Sequence, residues 1–119
     1  MKRTIECWLV LILILFCPQC MVVYGQESTA VYWFDKGNEF LEDRSYEKAI
    51  DNYDNAIEID RRFSEAWVAK GIALVGLEKY NESIDCFDEA IKINPEYAEA
   101  WHNKGLALAI GLGRYEEAI

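Results

Sequence analysis

Two patterns of apolar spacing divide the chain. From Cys7 to Cys17 the residues run apolar without interruption, CWLVLILILFC, behind Lys2 and Arg3. Further along, the apolar positions recur at helical intervals instead. Trp67, Ile72, Leu74 and Leu77 fall in one stretch. Ile84, Phe87, Ala90 and Ile91 fall in the next, at steps of three, three and one. Such steps gather side chains on one face of an α-helix, so each stretch predicts an amphipathic helix. Polar breaks at Asp43-Arg44-Ser45 and Glu78-Lys79 separate the helices within a pair. Asn94-Pro95 separates one pair from the next, because proline suits a first helical turn but not an interior. Ser64 is placed to cap the helix it precedes, its hydroxyl oxygen accepting from exposed backbone N–H groups.

The pattern repeats. Trp33, Trp67 and Trp101 are spaced by 34 residues both times. Each is followed by a lysine–glycine pair, Lys36-Gly37, Lys70-Gly71 and Lys104-Gly105, in the same register. Tyr46, Tyr80 and Tyr115 follow, the last one residue late because of an extra residue within Ile110-Gly111-Leu112-Gly113. Two glycines there predict an enlarged turn. The unit is a helix–turn–helix pair that cannot bury its apolar face alone, so neighbouring pairs must stack.

These residues resemble the tetratricopeptide repeat, whose pattern has a leading Trp, a central Gly, then Ala, three residues, Phe, and a closing Pro. The second unit supplies Trp67, Gly71, Leu74, Ser83, Phe87, Ala90 and Pro95. The first supplies Trp33, Gly37, Phe40, Ala49, Tyr53 and Ala56, with Arg61 in the place of the proline. The third supplies Trp101, Gly105, Leu108 and Ala118. The resemblance covers about residues 30–119 and implies an all-α solenoid of antiparallel helix pairs, with units at 30–63, 64–97 and 98–119. It implies that Gly37, Gly71 and Gly105 sit at close helix crossings, and that Ala49, Ser83 and Ala118 face them. The third unit stops early in its second helix, and a terminal repeat normally needs a polar outer face. The sequence therefore reads as a fragment of a longer array, a split product, or a chain completed by self-association, with residues 26–119 alone marginal or oligomeric.

The resemblance also implies where a ligand goes. Members of the family hold protein segments in a concave groove lined by the first helix of each pair. Carried over by distance from each tryptophan, the groove positions are Phe34, Asn38, Leu41, Val68, Ile72, Val75, His102 and Leu106. One subset of the family clamps chaperone C-termini with lysine, arginine and asparagine. That clamp would need lysine at Phe34, asparagine at Asn38 and Ala69, and basic residues at Glu99 and Asn103; Asn38 alone fits. An apolar or amphipathic segment suits the mostly apolar positions better.

Charge narrows the partners further. Only Lys2, Arg3 and Glu6 of the charged residues lie in residues 1–25, which leaves 10 basic and 20 acidic side chains beyond them. So acidic a surface repels phosphates and argues against nucleic acid. No phosphate loop or nucleophile motif is present, Cys86 has no sequence sign of a base partner, and the lone His102 has no cysteine near it. The reading is a binding module rather than an enzyme, with no cofactor or metal.

Residues 1–25 carry the layout of an export segment: a basic start, an apolar run, a break at Pro18-Gln19, and Val23-Tyr24-Gly25 ahead of Gln26. Two readings stay open, a cleaved secretory signal and an uncleaved membrane anchor. Both put the rest of the chain outside the cytoplasm, secreted or anchored. On an exported chain Asn81-Glu82-Ser83 is a glycosylation sequon at Asn81.

Overall fold

The computed structural model describes residues 29–117, with side chains as far as Gly113. Residues 1–25, expected to be an export segment, and Ala118 lie outside the described residues. Five α-helices and no strand occur among the described residues: α1 (Ala30–Glu42), α2 (Tyr46–Ile59), α3 (Ser64–Gly76), α4 (Tyr80–Ile93) and α5 (Ala98–Glu117). None of them is long and apolar enough to cross a membrane. The chain is an all-α stack in which α1 pairs with α2 and α3 with α4, while α5 lies against α4 and α3.

Glycine sets the crossing within each pair. A Cβ at Gly71 would meet the Phe87 ring at 2.5 Å, and one at Gly37 would meet the Tyr53 ring. Tyr53 and Phe87 are fully buried, as are Ala49 and Ser83 beside them. The Tyr53 hydroxyl donates to Asn38 Oδ1 at 2.7 Å, and the Ser83 hydroxyl donates to the Tyr80 carbonyl at 2.6 Å. So the small residues face the tight contact, and the two hydroxyls within it have partners.

Burial pushes the Tyr53 phenol up to about 12, against 10.0 for a free one. The folded state therefore holds this proton to a higher pH than the unfolded state does. Its contribution to stability is intact below pH 10 and is lost as pH rises toward 12. Guanidinium unfolding at about pH 9 and about pH 11 should show stability falling between the two. Tyr53→Phe should remove part of that slope.

The turns inside the pairs are built alike. Arg44 and Glu78 take φ of 60° and 64°, in the left-handed region. Ser45 N–H reaches the Phe40 carbonyl at 2.9 Å and Arg44 N–H reaches Leu41 at 3.0 Å. Lys79 reaches Leu74 and Glu78 reaches Val75, both at 2.9 Å. This crossed pair of bonds satisfies the last carbonyls of α1 and α3 and reverses the chain.

Three expectations are corrected. Ser64 is not a cap: α3 already includes it, its N-cap is Phe63, and the Ser64 hydroxyl donates to Glu65 Oε2 at 3.2 Å. A side-chain cap does occur at α1, where Thr29 Oγ1 accepts from Tyr32 N–H. Second, residues 110–113 form no turn, because α5 runs helical through both glycines to Glu117. Gly105, expected at a close crossing, has nothing within 4 Å of a Cβ built there. Among the described residues no helix folds back on it. Without that packing, the unbroken helical hydrogen bonds outweigh the roughly 1 kcal/mol that a helical glycine costs relative to alanine.

Candidate functional site

The first helices α1, α3 and α5 stand side by side, and α3 and α5 are each locked to the preceding pair by a recurring joint. Lys70 Nζ pairs with Asp54 Oδ1 at 2.6 Å, and Lys104 Nζ with Asp88 Oδ1 at 2.6 Å. Each ammonium also lies 5.8 Å from the centre of a tryptophan ring, Trp67 or Trp101. The indole N–H of Trp67 donates to the Arg61 carbonyl at 3.0 Å, and that of Trp101 to the Pro95 carbonyl at 2.8 Å. The connecting loops are held by matching side chains, with Asp60 Oδ1 accepting from Arg62 N–H and Asn94 Oδ1 from Glu96 N–H. The joint uses a carbonyl and not the proline ring, which explains why Arg61 can stand where the next unit has Pro95.

At 100° per residue, the joint and the crossing together occupy most of α3, whereas α1 carries the crossing without a joint to a preceding pair and α5 the joint without, among the described residues, a helix at its crossing face. One sector is left open on all three. On α1 it holds Val31, Asn38 and Glu42; on α3, Glu65 and Ile72; on α5, Glu99, Leu106 and Ile110. Val31 is 57% exposed, Leu106 47% and Ile110 42%. These three sectors hold the same place in successive repeats, the place expected to line a groove.

The eight positions expected to line it divide into two groups. Asn38, Ile72, His102 and Leu106 keep surface at or beside the free sector. Asn38 also accepts the Tyr53 hydroxyl, so part of its polar capacity is committed. The other four turn toward neighbouring elements. Val68 is 2% exposed and belongs to the core with Phe87, Ala90, Ala100 and Ala107. Val75 packs partly on the same cluster. Phe34 stacks 5.9 Å from Tyr53 and 4.9 Å from Phe63, and Leu41 packs against the Ala49–Tyr53 cluster. On α1 and α3, positions one and eight after the tryptophan serve the contact with neighbouring elements before they serve a ligand, whereas on α5 His102 stays exposed.

The sequence reading missed the Asp54 and Asp88 ends of the joint. Both carry a usable signal, since each lies 16 residues before its lysine. Gly76 was also missed; a Cβ there would meet the Tyr46 ring at 2.5 Å. Asn81 is exposed in the first turn of α4, while the sequon's Ser83 is buried. Cys86 is buried, and burial pushes its thiol up to about 11, so it stays protonated near neutral pH. Among the described residues no group of three His, Cys, Asp or Glu side chains is placed to hold a metal ion.

Stacked helix hairpins with a free inner sector define a helical-repeat scaffold. Residues 30–63 match a family model described as tetratricopeptide repeat, and residues 71–111 match a second described as TPR repeat. The chain carries tetratricopeptide repeats. Comparison with curated proteins gives no match. Among solved structures, the chain is similar to the second TPR of Spaghetti (RPAP3) bound to HSP90 peptide SRMEEVD. Identity is 28% and the TM-score 0.69, over 80% of this chain and 89% of that one. It is similar in fold to the Arabidopsis OM64 TPR domain, at 23% identity and TM-score 0.67, over 74% and 71% of the two chains. It is likewise similar in fold to MamA, at 23% identity and TM-score 0.70, over 84% of this chain and 57% of that one.

Proposed function

We propose that this chain is a non-catalytic interaction module that holds a protein segment in the groove floored by α1, α3 and α5, on a chain that is secreted or anchored outside the cytoplasm. The observation that carries the reading is the free sector itself. Ile72, Leu106 and Ile110 remain partly or largely exposed at one shared place of the first helices. Apolar side chains left open on neighbouring helices suit an incoming amphipathic segment. The peptide in the 28% identical structure supports it. The extracytoplasmic setting rests on the layout of residues 1–25.

One observation favours a second reading, a structural unit that associates with further repeats or copies. Trp101 is 51% exposed and Leu112 63%, and they flank the unfilled space at Gly105. One experiment separates the two. A labelled peptide with leucines at helical spacing and uncharged polar residues between them is titrated into the full-length chain. The groove reading expects saturable binding that weakens at least tenfold in Ile72→Glu or Leu106→Glu with helicity retained. Absence of binding, together with concentration-dependent sedimentation that Leu112→Glu abolishes, replaces it with the second reading.

A further inference from the structure

The groove floor carries charge of one sign. Glu42 on α1, Glu65 on α3 and Glu99 on α5 lie in the free sector, with Asp35 at its edge, and all four are exposed. Glu65 and Glu99 hold the same place on successive helices, two residues before Trp67 and Trp101. They converge near Tyr97, whose hydroxyl donates to Glu99 Oε2 at 3.3 Å. The Tyr97 phenol is pushed up to about 12 by burial and then by Glu99 and Glu65.

No lysine or arginine of residues 29–113 occupies the sector. Lys36 pairs with Glu39 at 3.5 Å, and Lys70 and Lys104 are drawn to Asp54 and Asp88 in the joints. Lys48 and Lys92 lie on α2 and α4, and Arg44, Arg61, Arg62 and Lys79 lie in the connections. Over residues 29–113 the groove is therefore apolar along Ile72, Leu106 and Ile110, and acidic at Glu65 and Glu99, with no cation in the sector to balance it. A segment that covers the apolar residues must come close to those carboxylates. An anionic segment would meet like charge there, and a cationic one would meet complementary charge.

Resting on the groove reading above, we propose that the occupant is a cationic amphipathic protein segment. Its apolar side chains cover Ile72, Leu106 and Ile110, and its lysines or arginines meet Glu65 and Glu99. This is opposite in charge to the acidic SRMEEVD peptide of the similar structure.

The test uses the full-length chain and three fluorescent peptides with one leucine pattern, whose polar positions are all glutamine, all lysine or all glutamate. The lysine peptide should bind at least tenfold tighter than the glutamate peptide. That preference should shrink severalfold in Glu65→Gln/Glu99→Gln, whose side chains still accept the local hydrogen bonds. It should also fall as salt rises from about 50 to about 300 mM, because exposed pairs are screened (on the order of 10 Å at 0.1 M). Leu106→Ser should weaken the lysine and glutamine peptides alike. If the three peptides bind equally and Leu106→Ser weakens all of them, the charge inference fails and the groove reading survives. A lysine preference unchanged in the double glutamine variant also overturns the inference, since the charge then acts from elsewhere. If no peptide is sensitive to Leu106→Ser, both readings fall.

Discussion

Phe87→Ala should cost about 3–5 kcal/mol, enough to leave the second helix pair unfolded at 37 °C. The Phe87 ring is fully buried. It fills the space that Gly71 leaves open, and it joins Val68, Ala90, Ala100 and Ala107 in the cluster between α3, α4 and α5. Removing it opens a cavity that helix backbones on three sides cannot close without losing their joints. A small domain has only about 5–15 kcal/mol in total. Each kcal/mol is worth roughly 4–8 °C in a domain of this size, so the midpoint of a circular-dichroism melt should fall by well over 10 °C. A drop of less than about 1 kcal/mol in chemical unfolding would mean that this cluster does not hold the stack together.

The same substitution at two glycines of the repeat should have opposite signs. Gly71→Ala should destabilise by about 1–3 kcal/mol, because the new Cβ falls 2.5 Å from the Phe87 ring, which is buried and has nowhere to move. Gly105→Ala should stabilise by up to about 1 kcal/mol, since α5 is helical there and nothing lies within 4 Å. Parallel urea unfolding of the two variants decides the matter. Equal effects would mean that Gly105 is enclosed as Gly71 is, with a helix folded against α5.

Much of the fold could be read from three columns of residues. Tryptophan, the lysine–glycine pair and the aromatic residue recur at one period because each has one place in the joint or the crossing. The turns were legible as breaks but not in their form. Arg44 and Glu78 adopt a left-handed backbone that glycine usually provides, so composition gave no hint of it. Ser64 misled because capping depends on where the backbone leaves the helix, a boundary fixed by the Phe63 and Tyr97 positions that pack between units. The course of α5 was not legible, because a glycine bends a helix only when packing on the far side draws it out. In the candidate site, the helix that carries each residue was clear from spacing. What spacing did not show is that α4 and α5 close together over Val68, and this turned it from a groove position into core.

The ionic and indole bonds that couple successive pairs have a mechanical meaning. The two joints are chemically the same, with lysine–carboxylate distances of 2.6 Å in each and an indole N–H on a loop carbonyl in each. Under tension along its length the stack therefore behaves as equal springs in series, and an applied strain divides between the joints instead of concentrating in one. The ionic part of each spring is partly exposed to water, so rising ionic strength softens it. The hairpins on either side, held by buried rings against glycine, keep their shape. The stack can thus yield between its pairs while each pair keeps its own surface.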